Sequence, residues 1–197
     1  MGLRGEYTGL ETELVKENIS NPREYFNLFP SVFFTWKMSE RGDLQWSYSR
    51  RISRPNFRSL LPFFSFSDNR NFFSGNPNLN PEFTDSYEIG HVRYIGNATI
   101  YAGVYYRHRT GVTERIRTVN DSGFTEIFPI NLAVQDAYGV ELTYSQSIFD
   151  WWKINANANI YQANNKGEYE GIDYGSENFS ARGRFMSRFT FWDSDLQ

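Results

Sequence analysis

Cysteine is absent from this 197-residue chain, which excludes a disulfide framework, a thiolate nucleophile and Cys-ligated zinc. Long apolar runs are also missing, because the best candidates are interrupted, as in Leu60-Leu61-Pro62-Phe63-Phe64, and the mean hydropathy is −0.59. A transmembrane helix, which needs about 20 apolar residues, is therefore excluded. A membrane β-barrel is still allowed, because its strands alternate polar and apolar residues and average to a hydrophilic score.

A surplus of charge of one sign is lacking as well. The 20 basic and 23 acidic residues leave a net charge of −3, so nucleic acid is not expected as a partner. The first residues, Met1 to Glu6, contain no apolar segment of an export signal, which predicts either a cytoplasmic protein or a piece of a longer one. The length suits one domain, and residues 1–197 are predicted to form a single one.

Aromatic residues are abundant, at 18% of the chain, and many of them alternate with polar residues. In the clearest case, Trp152, Ile154, Ala156, Ala158 and Ile160 interleave with Lys153, Asn155, Asn157 and Asn159. Comparable alternation runs through residues 44–49, 98–107, 138–145 and 179–191. Period-two alternation is typical of β-strands with one apolar and one polar face. Less regular segments at 2–8, 26–38 and 83–94 raise the predicted total to about eight strands.

The predicted connections alternate between short and long. Tight turns are expected at Ser39 to Asp43, Gly96-Asn97, Phe149 to Trp151 and Trp192 to Asp195, and long excursions at about 9–25, 53–82, 108–136 and 163–177. Residues 10–19 could form a short helix or a polar loop. This alternation predicts an antiparallel transmembrane β-barrel segment with short periplasmic turns and long extracellular loops.

Tryptophan lies near the predicted tight turns and is absent from the long excursions. An amphipathic ring prefers the level of the lipid headgroups, so these residues are predicted to form a membrane girdle at one rim. Filling of a soluble core is the competing interpretation. The residues are Trp36, Trp46, Trp151, Trp152 and Trp192.

Several segments resemble the barrel of TonB-dependent outer-membrane receptors, particularly the outer-membrane β-barrel family common in Bacteroidetes. The most specific is Gly75 to Glu82 (GNPNLNPE), followed by Asp85 to Gly90 (DSYEIG). Tyr25 to Ser31 and Leu44 to Pro55 are compatible with it. The resemblance implies a location in the bacterial outer membrane and a barrel of about 22 strands around an N-terminal plug. It also implies import of a bound nutrient or siderophore, with energy supplied by TonB through the plug.

The chain departs from that family pattern in three ways. It holds no plug domain or TonB box, and about eight strands are too few for the full barrel. It also ends at Asp193 to Gln197 without a terminal aromatic strand. The sequence therefore predicts a fragment of the receptor barrel that does not transport alone. Its expected partners are outer-membrane lipid, the missing plug and strands, TonB indirectly, and an unknown small-molecule, peptide or glycan ligand.

Three arginines share the polar face of the last predicted strand, namely Arg182, Arg184 and Arg188. A lipid-facing Arg near the bilayer midplane costs about 2–4 kcal/mol, so all three are predicted to face the lumen. They then need carboxylate partners. Glu141 on an earlier strand is one candidate, and acidic residues of the plug are others.

The excursion from Arg54 to Pro81 is unusually rich in Phe and Arg. It could bind a ligand at the extracellular mouth, or it could pack over neighbouring loops or the plug. Pro55 and Pro62, which suggest a rigid packed path, favour packing. The candidate ligand contacts are Arg54, Phe57, Arg58, Phe63, Phe64, Phe66, Arg70, Phe72 and Phe73.

No pattern of catalysis or of a cofactor site is found. A G-x-S-x-G elbow and Gly-rich phosphate loops are absent from the sequence. The acidic loop 166–178 matches no EF-hand and is read as a solvated loop. His91 is read as a strand residue and His108 as part of a basic rim, so neither a metal nor a cofactor is expected.

Two other architectures are compatible with the pattern. The first is a self-contained eight-stranded outer-membrane barrel with a structural or adhesin-like role, although its narrow interior would have to be filled by side chains. The second is a soluble carbohydrate-binding β-sandwich that stacks sugars on loop aromatics. Detergent dependence of solubility separates the second from the membrane readings.

Overall fold

The computed structural model describes residues 1–14, 19–61, 65–66, 70–119 and 123–190. Eight long strands make up most of this part of the chain. They are β1 (Gly2–Leu14), β2 (Ile19–Ser39), β3 (Gly42–Ser53), β6 (Glu82–Ile95), β7 (Ala98–Val119), β8 (Thr125–Phe149), β9 (Trp152–Lys166) and β12 (Ser176–Phe189). The short elements are α1 (Phe57–Leu60), β4 (Ser65–Phe66), β5 (Asn71–Phe73), β10 (Glu168–Tyr169) and β11 (Ile172–Asp173).

The long strands form one continuous antiparallel sheet in the order β1-β2-β3-β6-β7-β8-β9-β12. This confirms the predicted all-β class and the eight strands of a barrel wall. Within the described ranges, β1 pairs only with β2 and β12 only with β9, so the sheet is open. A closed eight-stranded barrel and a two-sheet sandwich are therefore not what the chain forms.

The tight turns lie together at one end of the sheet. They fall at Glu40-Arg41, Gly96-Asn97 and Asp150-Trp151, as the sequence predicts. Every second connection of an antiparallel meander returns to the same edge. The fourth predicted turn, Trp192 to Asp195, lies outside the described residues.

The long excursions differ from the prediction, because much of their length is paired strand. β1 and β2 stay in register from Gly2↔Ser31 as far as Leu14↔Ile19, so the helix or polar loop expected at 10–19 is wrong for the residues described there. β7 and β8 remain paired out to Val119↔Thr125. The backbone ladder continues beyond the point where side-chain alternation fades, and sequence periodicity detects only the latter.

The sheet is curved, with a concave face that lines an open cavity of about 1080 Å³. Its lining includes Arg107 on β7, Gln135 on β8, Asn159 on β9 and Arg182 on β12. The residues between them in sequence point to the convex face, where apolar side chains such as Val140 and Ile160 are exposed. Alternate residues of these strands thus lie on opposite faces of the sheet, and the assignment of those faces to lumen and lipid stays a prediction.

Buried apolar side chains are few among the described residues, and most of them lie away from the turns. Those at the end opposite the turns come from the connection 54–81 and from β7 and β8: Leu60, Leu79, Val112, Ile116 and Ala133. None of the helices in the described ranges combines the length and the apolar character needed to span a membrane.

Candidate functional site

The concave face of the sheet, called the inner wall below, is made smooth by tyrosine rings that lie over glycines. A Cβ on Gly90 or Gly103 would come within 2.4 Å of Tyr101, and one on Gly139 would lie 2.7 Å from the Tyr105 ring. The rings therefore lie flat against the backbone of neighbouring strands. The wall consequently presents flat ring faces and leaves the space in front of it open.

Polar side chains on the inner wall bind one another across the strands. The Tyr105 hydroxyl donates to Asn159 Oδ1 at 3.0 Å, and Gln135 Nε2 donates to Asn165 Oδ1 at 2.8 Å. Asn157 Nδ2 donates to Thr143 Oγ1 at 3.0 Å and to Glu141 Oε1 at 3.3 Å. These bonds hold the amides in fixed orientations, so the wall is a preformed polar surface.

Arginines line this surface from two sides. On β7, Arg107 lies 3.6 Å from Glu88 and 4.3 Å above the Tyr105 ring, and Arg109 lies 4.0 Å from Glu82. On β12, Arg182 and Arg184 line the same cavity.

The predicted partner of the β12 arginines is not in place. Glu141 is bonded by Asn157, and Asn159 separates it from Arg182 in the register. In the part of the chain that the structure describes, Arg182, Arg184 and Arg188 form no ion pair with a carboxylate. Arg188 lies opposite another cation, Lys153. The candidate pairing with Glu141 is therefore wrong, because Glu141 lies on β8 and the arginines lie on β12, with β9 between them.

Arg54, a predicted ligand contact, is anchored to the first strand. Its Nη2 lies 2.6 Å from Glu6 Oε2 and 3.1 Å from Thr8 Oγ1. The hydrogen bond to Glu6 raises the pKa of the Arg54 guanidinium, so this anchor is charged at any physiological pH. Arg54 thus fixes the start of the connection to β1.

The GNPNLNPE segment, residues 75–82, fixes the other end of the connection to three elements. Gly75 has no room for a side chain, because a Cβ would lie 2.1 Å from the Leu61 carbonyl oxygen. Asn76 Nδ2 donates to the Pro129 carbonyl of β8 at 3.0 Å. Arg23 of β2 donates to the Leu79 carbonyl at 2.5 Å, and the Leu79 side chain is buried. The segment is a latch between the β1–β2 and β7–β8 hairpins.

The latch also completes a β-bulge in β7. The register between β7 and β8 shifts around Gly111, whose φ is +68°. Asn131 Nδ2 donates to the Gly111 carbonyl at 2.7 Å and to the Asn80 carbonyl at 2.9 Å. Glu82 Oε1 accepts from the Thr113 amide at 2.9 Å. Polar groups that the bulge removes from the ladder thus find partners in Glu82 of the latch and in Asn131 of β8, which is itself bonded to the latch. Sequence reasoning missed Asn131, because its partners come from distant segments.

The aromatic candidates divide into exposed and packed side chains. Phe57 and Phe66 are each 71% exposed. Two guanidiniums lie over the Phe73 ring, that of Arg58 at 5.7 Å and that of Arg115 at 5.8 Å from its centroid. Phe72 packs against Phe66 at 6.1 Å, and the Arg70 carbonyl accepts the Thr125 amide at 2.8 Å. The remaining candidates, Phe63 and Phe64, lie outside the described residues.

The tryptophans lie on the convex side or at the turns. Trp36 and Trp46 are exposed on β2 and β3. Trp151 and Trp152 stack at the β8–β9 turn, with ring centroids 6.3 Å apart, and Phe149 and Phe189 stack on them. Trp192 lies outside the described residues. The membrane role of the group stays a prediction.

The histidines are placed on strands. His91 lies on β6, as expected, and His108 on β7, where its Nδ1 lies 2.8 Å from Asp136 Oδ1. The same oxygen accepts the Tyr106 hydroxyl at 2.7 Å. Sequence reasoning placed no carboxylate beside His108, because Asp136 comes from the neighbouring strand. Among the described residues, no group of three or more His, Asp or Glu is arranged to hold a metal ion.

Solved structures of a siderophore receptor and of metal transporters have a similar fold. The siderophore receptor PirA from Pseudomonas aeruginosa matches with a TM-score of 0.59 and 12% identity over 96% of this chain. The FrpB iron transporter from Neisseria meningitidis matches with a TM-score of 0.54 and 12% identity over 88% of the chain. The copper transporter OprC matches with a TM-score of 0.55 and 14% identity over 96% of the chain.

The chain spans only part of those proteins, covering 40% of PirA, 28% of FrpB and 37% of OprC. No curated protein sequence matches it. A family model does match, over residues 1–195, and the open antiparallel sheet with an apolar convex face agrees with it. The chain belongs to the outer membrane protein beta-barrel family and is a protein of the bacterial outer membrane.

Proposed function

We propose that residues 1–197 form one partial barrel domain, part of the wall of a TonB-dependent receptor that imports a nutrient or siderophore. The open sheet edges on β1 and β12 support this, because an unpaired edge strand offers hydrogen-bonding groups to a further strand. The similar receptors are longer than the chain. The chain does not transport alone. The role of the receptor to which it belongs is transport rather than catalysis.

The smooth inner wall is the observation that carries the proposal. A small closed barrel is filled by its own side chains, whereas here Tyr101 and Tyr105 lie flat on glycines. A flat wall suits a wide lumen that contains a separate folded body. We propose that this body is the plug domain, through which TonB acts on the barrel indirectly.

The arginines of β12 are the proposed contacts of the plug. Arg182 and Arg184 line the cavity and form no ion pair within the described part of the chain. A cation loses solvation when a lumen is filled, so it needs a carboxylate from the occupant. Acidic side chains of the plug would supply it. Arg188 is assigned the same lumen-facing role, and Glu141 is a further lumen-facing residue.

The connection 54–81 is the proposed ligand-binding surface at the mouth. Phe57 and Phe66 are exposed there, and Arg58 and Arg115 present cations beside Phe73. Arg54 and the latch hold this surface in place. The proposed contacts are Arg54, Phe57, Arg58, Phe63, Phe64, Phe66, Arg70, Phe72 and Phe73. The ligand is a small molecule, a peptide or a glycan, and ferric siderophores and copper are the first to test, because similar structures are named for them.

The convex face and the tryptophans are the proposed lipid contacts. Trp36, Trp46, Trp151, Trp152 and Trp192 would form the girdle at the turn side, where amphipathic rings prefer the headgroup level.

Growth under metal limitation tests the proposed transport. A strain lacking the gene that encodes this chain should grow more slowly than its parent with either a ferric siderophore or chelated copper as the sole metal source. Loss of TonB should give the same defect without adding to it. The transport proposal would be refuted if the deletion strain took up ferric siderophore, copper and other nutrients normally. It would also be refuted if uptake continued in a strain without TonB.

A further inference from the structure

Two basic side chains interrupt the apolar convex face on β6. His91 and Arg93 continue the alternate positions of Ile89, an exposed apolar residue of that face. Within the described residues, no other basic or acidic side chain of the strands lies on this face between the tight turns and a cross-strand row of tyrosines. That row consists of Tyr48, Tyr87, Tyr106 and Tyr138. Because a charge exposed to lipid is costly, such residues indicate a partner or a function.

Both side chains line a cavity of about 420 Å³ beside the turn between β2 and β3. The other lining residues are Ser39, Glu40, Arg41 and Gly42. Gly42 leaves room for the imidazole, because a Cβ there would lie 3.0 Å from His91 Nε2. The Arg41 carbonyl accepts the Tyr94 amide of β6 at 2.9 Å, and the Ser39 hydroxyl oxygen accepts the Arg41 amide at 3.2 Å. The backbone around the cavity is therefore held in place without a ligand.

The charged groups of this cavity are not neutralised by the described part of the chain. There, Arg41 and Arg93 form no ion pair, and neither does Glu40, the carboxylate that lines the same cavity. The arginine at the other end of the convex face differs, because Arg50 lies 3.7 Å from Asp85. A cation that loses water to lipid needs an anion beside it. The cavity therefore suits an anionic group from outside the chain.

An apolar groove of about 250 Å³ begins at the same histidine. From His91 it runs away from the turn, past Ile89 and Val104 to Val140. Ala102, the cross-strand neighbour of His91, also lines the groove, and its small side chain leaves the groove open. A charged cavity that leads into an apolar groove has the two chemical parts of a phospholipid site, one for the head group and one for an acyl chain.

We propose that this site binds one molecule of a phospholipid that carries both a phosphate and a primary amine, as phosphatidylethanolamine does. Arg41 and Arg93 bind the phosphate through charge-assisted hydrogen bonds, and His91 can donate a ring N–H to it in either protonation state. Glu40 accepts from the ammonium, and one acyl chain lies along Ala102. The proposal rests on the proposed barrel wall, because it takes the convex face as the lipid face and the turns as periplasmic.

Native mass spectrometry measures lipid retained by the whole protein after release from detergent micelles that contain equal amounts of phosphatidylethanolamine and phosphatidylglycerol. The unaltered protein should retain one lipid, chiefly phosphatidylethanolamine. R93Q should lower the retained fraction several fold, and R41Q should do the same without altering a strand residue. R50Q is the matched control, because it removes a cation of the same face that Asp85 already neutralises. Equal losses in R93Q and R50Q, or equal retention of the two lipids by the unaltered protein, would overturn the proposal.

The groove is tested independently of charge by A102L, which should block it and lower lipid retention several fold. A158L is its control, because Ala158 lies in the same cross-strand row two strands away and does not line the groove. Heat-modifiable mobility on gels shows that each variant is folded. Unchanged retention in A102L would overturn the site. Failure of the barrel wall itself looks different, because the protein would then stay monomeric without detergent, whereas failure of this site alone leaves a detergent-dependent protein that retains neither lipid preferentially.

Discussion

Single glycines decide the shape of the inner wall. Gly139 shows why, because a Cβ there would lie 2.7 Å from both the Ile160 carbonyl oxygen and the Tyr105 ring. The backbone oxygen cannot move without disturbing the ladder between β8 and β9. Glycine is therefore required by a close approach of neighbouring strands, not by an unusual backbone conformation.

Gly139→Ala should destabilise the protein by roughly 1–3 kcal/mol, the usual cost of overpacking. Urea unfolding in detergent micelles, followed by intrinsic fluorescence, would measure it. Gly183→Ala is the matched control, because a Cβ there has only the Asn157 carbonyl oxygen nearby, at 3.7 Å. Equal effects of the two substitutions would contradict the proposed role of Tyr105 in shaping the wall.

Arg184 and Phe185 are adjacent residues with opposite surroundings. Arg184 lines the cavity, and Phe185 is exposed on the convex face. Phe185→Arg should impair membrane insertion, because an Arg in the middle of the apolar band costs about 2–4 kcal/mol. Arg184→Ala should insert normally and alter uptake or plug packing. Heat-modifiable mobility on gels of outer-membrane fractions reports insertion, and the reverse outcome would mean that the faces of β12 are assigned backwards.

The latch is the clearest feature at the scale of elements. Residues 75–82 connect β2, β7 and β8 and fill the bulge at Gly111. The resemblance of the GNPNLNPE segment to receptor barrels identified it in the sequence. Its partners, Arg23 and Asn131, lie more than 50 residues away along the chain, so no local sequence pattern predicts these contacts.

Asn131→Asp should release the latch, because a carboxylate would replace the amide that donates to the Gly111 and Asn80 carbonyls. Leaving those acceptors without a donor costs about 1–3 kcal/mol. Amide hydrogen exchange in residues 70–82 should then become faster. Asn178→Asp is the control, since its amide makes one weak bond, to Ser176 at 3.5 Å. Unchanged exchange in the Asn131 variant would contradict the latch.

Strand β9 tests the assignment of faces directly. Single cysteines at Asn155, Asn157 and Asn159 should react with a hydrophilic maleimide, and those at Ala156, Ala158 and Ile160 should not. The reason is that alternate side chains enter the aqueous lumen and the lipid. Equal labelling at both sets of positions in intact outer membranes would contradict the membrane-spanning assignment.

At the scale of the whole molecule, the sheet has two open edges and an apolar convex face. Exposed side chains on that face include Phe34, Val104, Leu142 and Phe185. Unpaired edge strands and large apolar surfaces both promote association. The chain as a whole is therefore built to be surrounded by lipid and by further strands.

The isolated 197-residue chain should not be a stable monomer in water. Size-exclusion chromatography with light scattering should show aggregates without detergent and dispersed particles with it. A detergent-free monomer that unfolds cooperatively would count decisively against the membrane interpretation and would revive a soluble sheet.

The alternation of polar and apolar residues was enough to locate the eight long strands and to identify the apolar side of each. Trp152 to Ile160 shows why, because a period of two is imposed by the strand backbone and by the two solvents it separates. The tight turns at Glu40-Arg41 and Gly96-Asn97 could be predicted for the same reason, because the period-two alternation is interrupted there.

How far the strands continue, and which side chains they bring into contact, became evident only from the folded sheet. The ladder of β7 and β8 runs on to Val119 and Thr125 because backbone hydrogen bonds persist without any alternation of side chains. Asp136 reaches His108, and Asn157 binds Glu141 in place of an arginine, because cross-strand register brings together residues that are 28 and 16 positions apart. Register is set by the pairing of whole strands, so no local pattern in the sequence contains it.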